Sequence, residues 1–186
     1  MGAHTGWRYV PAAGLVDLRT FYGALSERTF HSTQYVRHPA LPLYTPEPDI
    51  VHEVIGHATM LASPTMADLY EAAGRASLRA ETDRALDVFS RVFWFTIEFG
   101  TVHEDGDLKT YGAGLLSSFG EIEVFAAAEI RPWDLTAMAT LPYDITQYQP
   151  VLFAAGSFDR MVDDLHRFFA DFDDDAAERL VQGGPP

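Results

Sequence analysis

The strongest constraint on the fold is the segment DRALDVFSRVFWFTIEFG, residues 83–100, whose second half is apolar apart from one carboxylate, Glu98. A helix that is apolar nearly all round must lie inside the molecule, so the other elements have to pack around it. Gly100 is expected to stop it. A buried carboxylate without a partner is costly, so Glu98 needs a compensating group. The alternative, a glutamate snorkelling to water at the helix end, sets a negative charge against the negative end of the helix dipole. Ser90, Trp94 and Glu98 share one stripe at i, i+4 spacing.

The segment LPLYTPEPDIVHEVIGHATML, residues 41–61, offers partners for that carboxylate: His52, Glu53 and His57. Zinc proteases place His-Glu-x-x-His on one helix face, but here the histidines are five apart. Five residues advance a regular α-helix by about 140°. Both rings reach one ion only if His52 lies in a frayed first turn, and Pro46, Pro48 and Asp49 predict the helix start there, with Asp49 as N-cap. His52, His57 and Glu98 together have the composition of the facial triad of non-haem Fe(II) oxygenases, which leaves positions open for dioxygen and substrate. Three alternatives stand beside it. The histidines can be unrelated. They can hold zinc in a metallohydrolase with Glu53 as general base, which leaves Arg37 without a role. Or the fold can be a non-catalytic binding module, which the intact ligand set argues against.

Composition narrows the choice. The chain has no cysteine, so disulfides, thiolate metal sites and thiol catalysis are excluded, and any metal must be held by His, Asp or Glu. The net charge of −14 opposes binding to nucleic acid or to an anionic membrane surface. No apolar run is long enough for a membrane span. MGAHTGWRYV lacks the features of a signal peptide, and Gly6 breaks the myristoylation pattern, so the expected location is cytoplasmic. With 186 residues, 47% of them hydrophobic, one globular domain is expected over 1–186.

Hydrophobic periodicity predicts a helix from about Asp17, with Leu18, Phe21, Tyr22, Leu25 and Phe30 near helical spacing. RHPALPLYTPEPD predicts an extended rigid loop. SPTMADLYEAAGRASLRAE predicts a helix started by Ser63 or Thr65. TVHEDGDLKTYG predicts a hairpin turning at Asp105-Gly106. SSFGEIEVFAAAE predicts a helix with a Ser118–Glu121 capping box. TQYQPVLFAA predicts a short strand, and SFDRMVDDLHRFFADF an amphipathic helix capped by Ser157. The acidic tail from about residue 172 is expected to fray. The fold class is mainly α with a few short β-strands (α+β).

In this order along the chain, HSTQYVRH, YTPEPDIVHEVIGH, FWFTIEFG and YGAGLLSSFGE resemble the motifs of the pterin-dependent aromatic amino acid hydroxylases, over about residues 13–169. The resemblance implies an Fe(II) monooxygenase that uses a tetrahydropterin (tetrahydrobiopterin or similar) and O2 to hydroxylate an aromatic amino acid. It implies His52, His57 and Glu98 as iron ligands, and Arg37 as the clamp on the substrate carboxylate with Asp49 bracing it. Thr45 and Ser117 match positions that contact the amino acid or an iron-ligating histidine. Trp94, His31 and Pro48 match the substrate pocket. Glu53 matches a residue linked to the pterin through water, and Gly14, Leu15, Val16 and Phe21 match the pterin-binding segment, with Phe21 stacking on the bicyclic ring. Core packing competes as the role of Leu15, Val16 and Phe21.

The resemblance also implies departures. The chain is much shorter than a usual family member; the regulatory domain, much of the N-terminal catalytic region and the tetramerisation elements are the parts expected to be missing. Apolar surface left uncovered would then favour a homodimer. Leu18 stands where relatives often have Ser. Trp94, and an apolar Ile145 where tyrosine enzymes are polar, lean toward phenylalanine or a close analogue as substrate, since a tyrosine hydroxyl against an apolar wall loses its hydrogen bonds to water.

Overall fold

The central helix forms as α4 (Asp83–Phe93), capped by Thr82, whose hydroxyl accepts the Ala85 N–H at 3.2 Å. It continues through a π-helical segment, Trp94–Glu98, and ends at Gly100 as expected. The computed structural model describes residues 2–40, 42–43 and 47–183. Phe89 and Phe93 on α4 are buried, and rings from three directions close on Phe89: Tyr22 at 4.9 Å, Phe169 at 5.8 Å and Phe172 at 5.6 Å between centroids. Each such side chain contributes about 1.5–3 kcal/mol by leaving water. The apolar helix thus becomes the axis of the core.

The elements around it run in the following order. Strand β1 (Arg8–Pro11) pairs in parallel with β2 (Thr29–Ser32), and helix α1 (Leu18–Leu25) supplies the crossover that a parallel pair requires. The Asp17 carboxylate caps α1 by accepting the Thr20 N–H. The helix stops before Phe30, which belongs to β2 and not to the helical stripe expected of it. Helix α2 is a π-helical segment, His52–Ala58, running into Thr59–Leu61, and α3 (Pro64–Ser77) starts after Ser63. The hairpin β3 (Thr101–Glu104) and β4 (Asp107–Thr110) turns at Asp105-Gly106 as expected, both with positive φ.

Two short helices follow, α5 (Ala113–Ser117) and α6 (Phe119–Ile122), then a 3-10 turn at Phe125–Ala127. The capping box does not form. Ser118 makes no cap bond, and Glu121 instead accepts the backbone N–H of Gln149 at 2.6 Å. Strand β5 (Glu129–Pro132) and helix α7 (Leu135–Thr140) precede β6 (Val151–Ala155), which occupies the second half of TQYQPVLFAA. The second sheet has the order β4-β3-β6-β5, with β6 parallel to both neighbours. Helix α8 (Phe158–Asp171) is capped by Ser157 as expected.

The tail does not fray over the described residues. It forms α9 (Asp174–Val181), capped by Asp173, and buries Ala177. Asp174 accepts the N–H groups of Glu81 at 2.8 Å and Thr82 at 2.9 Å and the Thr82 hydroxyl. The acidic residues that suggested a solvated tail are used as caps, one for α9 and one for the start of α4. Among the described residues no helix is long and apolar enough to cross a membrane.

One close approach fixes where α2 sits. A Cβ built on Gly56 would lie 2.6 Å from the Ala113 carbonyl oxygen and 3.0 Å from its Cβ. Only glycine lets the histidine-bearing helix touch α5 there. Gly56→Ala should therefore destabilise by about 1–3 kcal/mol through overpacking. Thermal unfolding reads this as a drop of about 2–4 °C in Tm per kcal/mol for a chain of this size; an unchanged Tm would show that the two helices separate without cost.

Candidate metal centre and its cavity

The five-residue spacing of the histidines is solved by winding and not by fraying. His52–Ala58 is a π-helix, in which hydrogen bonds join residues five apart and stack them on one face. The His52 and His57 Nε2 atoms lie 2.9 Å apart. The helix is well anchored at its start, where Asp49 Oδ1 accepts the His52 N–H at 3.1 Å, as expected of an N-cap. The segment bearing Glu98 is π-wound too, with the Phe99 N–H bonded to the Trp94 carbonyl at 2.8 Å. Glu98 Oε1 lies 3.2 Å from His57 Nε2 and Oε2 lies 3.7 Å from His52 Nε2. One ligand atom from each of the three residues falls within 4.8 Å of the others.

The outer ring nitrogens set the tautomers. Ser117 Oγ donates to the Ala113 carbonyl at 2.8 Å, so it accepts from His52 Nδ1, also 2.8 Å away. The Tyr70 hydroxyl donates to Met60 Sδ at 3.3 Å and accepts from His57 Nδ1 at 2.8 Å. Both imidazoles then turn an Nε2 lone pair toward the other and toward Glu98. Facing lone pairs at 2.9 Å repel unless a cation lies among them. Burial, then the His57 charge, push His52 down to about 4. Burial raises the Glu98 carboxyl, but His57 and His52 outweigh it and hold the group below its ordinary range. Burial lowers His57, and the Glu98 carboxylate reverses this and pulls it up. The centre calls for a cation, a role open to a proton on His57 or to a metal ion. Two imidazole nitrogens and one carboxylate are donors that suit a divalent iron.

A cavity of about 370 Å³ opens on this centre. Of the residues singled out above, Arg37, Pro48, His31, Trp94, Ile145, Glu53 and Ser117 line it, as do Gly14, Leu15, Val16 and Phe21. Thr45 lies outside the described residues. Asp49 does not line the cavity; it lies behind Arg37 with 0% exposure. Its Oδ2 accepts Arg37 Nε at 2.9 Å and the Arg37 N–H at 2.7 Å, and Oδ1 accepts Nη2 at 2.8 Å. Arg37 is thereby held by one edge. Glu53 Oε1 accepts both the N–H and the hydroxyl of Thr33 at 3.1 Å. Among the described residues His31 Nδ1 is buried without a protein partner, which suits a ligand carrying a hydrogen-bonding group.

Sequence reasoning missed several residues. Tyr143 stacks on Trp94 at 4.3 Å and 12°, and Phe99 packs on the same ring at 4.5 Å. Trp94 Nε1 donates to Gln149 Oε1 at 3.0 Å. Tyr70, Thr33 and Gln149 hold other groups through hydrogen bonds between segments separated in sequence, which leave no local signal. Glu121 appeared only as half of a capping box.

The Asp49–Arg37 pair carries a pH prediction. Burial raises the Asp49 carboxyl, but hydrogen bonds from Arg37 and the His52 N–H outweigh it and lower it to about 2. A lowered folded-state pKa gives stability that is complete above the unfolded value near 4 and lost as pH falls toward 2. Asp49→Asn should lower stability at pH 7 by about 1–3 kcal/mol, because it leaves the partly buried Arg37 charge without its counter-ion. It should also flatten the acid limb between those values in chemical denaturation curves. Parallel wild-type and variant acid limbs would rule the pair out as the source.

Comparison with known proteins agrees with this site. The family model for biopterin-dependent aromatic amino acid hydroxylase matches residues 1–177. The chain is similar to phenylalanine 3-hydroxylase from Streptomyces coeruleorubidus, 45% identical over 98% of this chain and 66% of that protein. It is also similar to phenylalanine-4-hydroxylase from Dictyostelium discoideum, 42% identical over 90% of this chain and 38% of the relative. Among solved structures it superposes on Chromobacterium violaceum phenylalanine hydroxylase with bound oxidised Fe(III), at TM-score 0.86 and 31% identity over 100% of this chain and 67% of that one. The chain thus spans about two thirds of one curated relative and under half of the other. These relatives are hydroxylases, and nothing supports the metallohydrolase alternative. With a matching family model over nearly its whole length and the His-His-Glu centre in place, the chain belongs to the biopterin-dependent aromatic amino acid hydroxylase family.

Proposed function

We propose that the protein is a monooxygenase dependent on Fe(II) and tetrahydropterin that hydroxylates the ring of phenylalanine. The observation that carries this reading is the convergence of His52, His57 and Glu98 at the floor of a cavity whose wall holds Arg37. Bound Fe(II) would supply dioxygen activation, with the tetrahydropterin as electron source.

The chain's own residues hold, orient and exclude. His52, His57 and Glu98 hold the metal through Nε2, Nε2 and a carboxylate oxygen, and Ser117 and Tyr70 keep the two rings in the ligating tautomer. Asp49 occupies Nε and Nη2 of Arg37, so Nη1 is left to bind the substrate carboxylate. Trp94, Tyr143 and Ile145 give the aromatic ring an apolar wall, which disfavours the extra hydroxyl of tyrosine. Gly14, Leu15, Val16 and Phe21 form the side of the cavity offered to the pterin, with Glu53 and His31 supplying polar contacts. Ring position is the finer part of the proposal. We favour the 3-position, because the relative named for it matches 98% of the chain. A homodimer belongs to the same proposal, supported by the exposed Val36, Val54 and Ile55; sedimentation at micromolar concentration showing a strict monomer would remove it.

The test is anaerobic loading with Fe(II), then oxygen, with a panel of aromatic amino acids and with or without tetrahydropterin. Mass spectrometry should show a hydroxyphenylalanine only when all components are present, and chromatography against standards fixes the position. Product without pterin, or none from any aromatic amino acid, would refute the reading. Glu98→Ala should lose both bound iron and turnover, and wild-type turnover in that variant would sink the ligand assignment. Arg37→Lys keeps the charge but loses the planar fork, and should raise the KM for phenylalanine by roughly tenfold or more. Equal use of phenylalanine and its amide would contradict the clamp.

A further inference from the structure

Three carboxylates line the cavity among its described residues: Glu53, Glu98 and Glu121. Two are already engaged. Glu98 faces the histidines, and Glu53 is held by Thr33. Glu121 is 3% exposed, and one oxygen, Oε1, accepts the Gln149 N–H at 2.6 Å. Among the described residues no arginine, lysine or histidine pairs with it, and burial pushes its carboxyl up. The Ser118 hydroxyl also lies close enough to help, but a buried carboxylate with these two neutral donors and no counter-charge is still unfavourable by itself. It becomes favourable when a cation enters the cavity beside it.

The location says which cation. Arg37 Nη2 lies 3.5 Å from the Ser117 carbonyl, so the guanidinium edge abuts the α5–α6 turn. Ser117, Ser118 and Glu121 of that turn all line the cavity. A free amino acid bound through its carboxylate at Arg37 carries its ammonium one carbon away, on the same wall. We propose that Glu121 is the counter-ion of the substrate's α-ammonium group, so that Arg37 and Glu121 read the two charged ends of a zwitterion. This inference rests on the proposed amino acid hydroxylase reading. It also gives Glu121 a link to the ring end. The Gln149 whose N–H it holds spends both amide hydrogens on the Asp144 and Gln147 carbonyls and turns its oxygen to Trp94.

That link supplies the competing role, a purely structural brace for Gln149 and Trp94. Glu121→Gln separates the two, since an amide oxygen can still accept the Gln149 N–H while the charge is gone. The experiment measures binding of phenylalanine and of 3-phenylpropionate, which lacks only the ammonium, to the Fe(II)-loaded full chain by anaerobic equilibrium dialysis. The wild type should bind phenylalanine roughly tenfold to a hundredfold more tightly than 3-phenylpropionate. In Glu121→Gln that preference should shrink by roughly tenfold or more, while 3-phenylpropionate binding stays within about twofold. Equal weakening of both ligands would assign Glu121 the bracing role and overturn the proposal, as would an undiminished preference. If the variant does not fold, the wild-type comparison decides, because no preference for the ammonium there overturns it. Wild-type hydroxylation of phenylalanine in the same preparation keeps the two readings apart: turnover without ammonium preference defeats this inference alone.

Discussion

The widened winding of two helices is the constraint on which the rest of this site depends. In α-helical geometry His52 and His57 would point about 140° apart, and no side-chain rotation would bring both Nε2 atoms to one point. A π turn puts them 2.9 Å apart, and a second π turn ends at Glu98. π-Helical turns are rare and cluster at functional sites, because they give up backbone hydrogen-bond geometry to place side chains. The surrounding packing makes them tolerable here. Gly56 lets α2 seat against Ala113, and the aromatic cluster on α4 fixes the other helix.

Around this centre, burial of charge is organised in layers. Asp49 binds Arg37 through three donors and caps the first turn of α2, so one carboxylate fixes both the cavity's cation and the entry of the histidine helix. Ser117 accepts from the His52 ring with its hydroxyl and faces Arg37 with its carbonyl. His52 and the cavity's arginine are therefore parts of one hydrogen-bonded network, and a change at one is felt at the other.

Much of this was legible in the sequence where chemistry is local or repeated. The apolar run of residues 92–100 announced a core helix, and its single carboxylate announced a partner. Asp105-Gly106 and Ser157 announced a turn and a cap. The motifs around His52, His57, Glu98 and Arg37 announced the site, and nearly all the named residues meet at one cavity. What escaped is equally physical. The π winding is invisible to a reading based on 3.6 residues per turn, so the histidine spacing first suggested a frayed end. The tail reads as acidic and solvated because caps look like surface charge until their N–H partners are known, and Glu81 and Thr82 lie far from Asp174 in sequence. Glu121 looked like a local cap because its actual donor, Gln149, is a distant residue. The strands β1 and β5 are four residues each, too short to show a period.

The sulfur beneath His57 has a consequence of a different kind. Met60 is 6% exposed and receives the hydrogen of the Tyr70 hydroxyl, the group that orients the His57 ring. A thioether is open to oxidation to the sulfoxide, which is larger, polar and a far stronger acceptor. It would grip Tyr70 more tightly while crowding the apolar packing beneath it. Oxidation of Met60 would then reach the His57 ring through a single hydroxyl, disturbing the site without altering any residue that lines it.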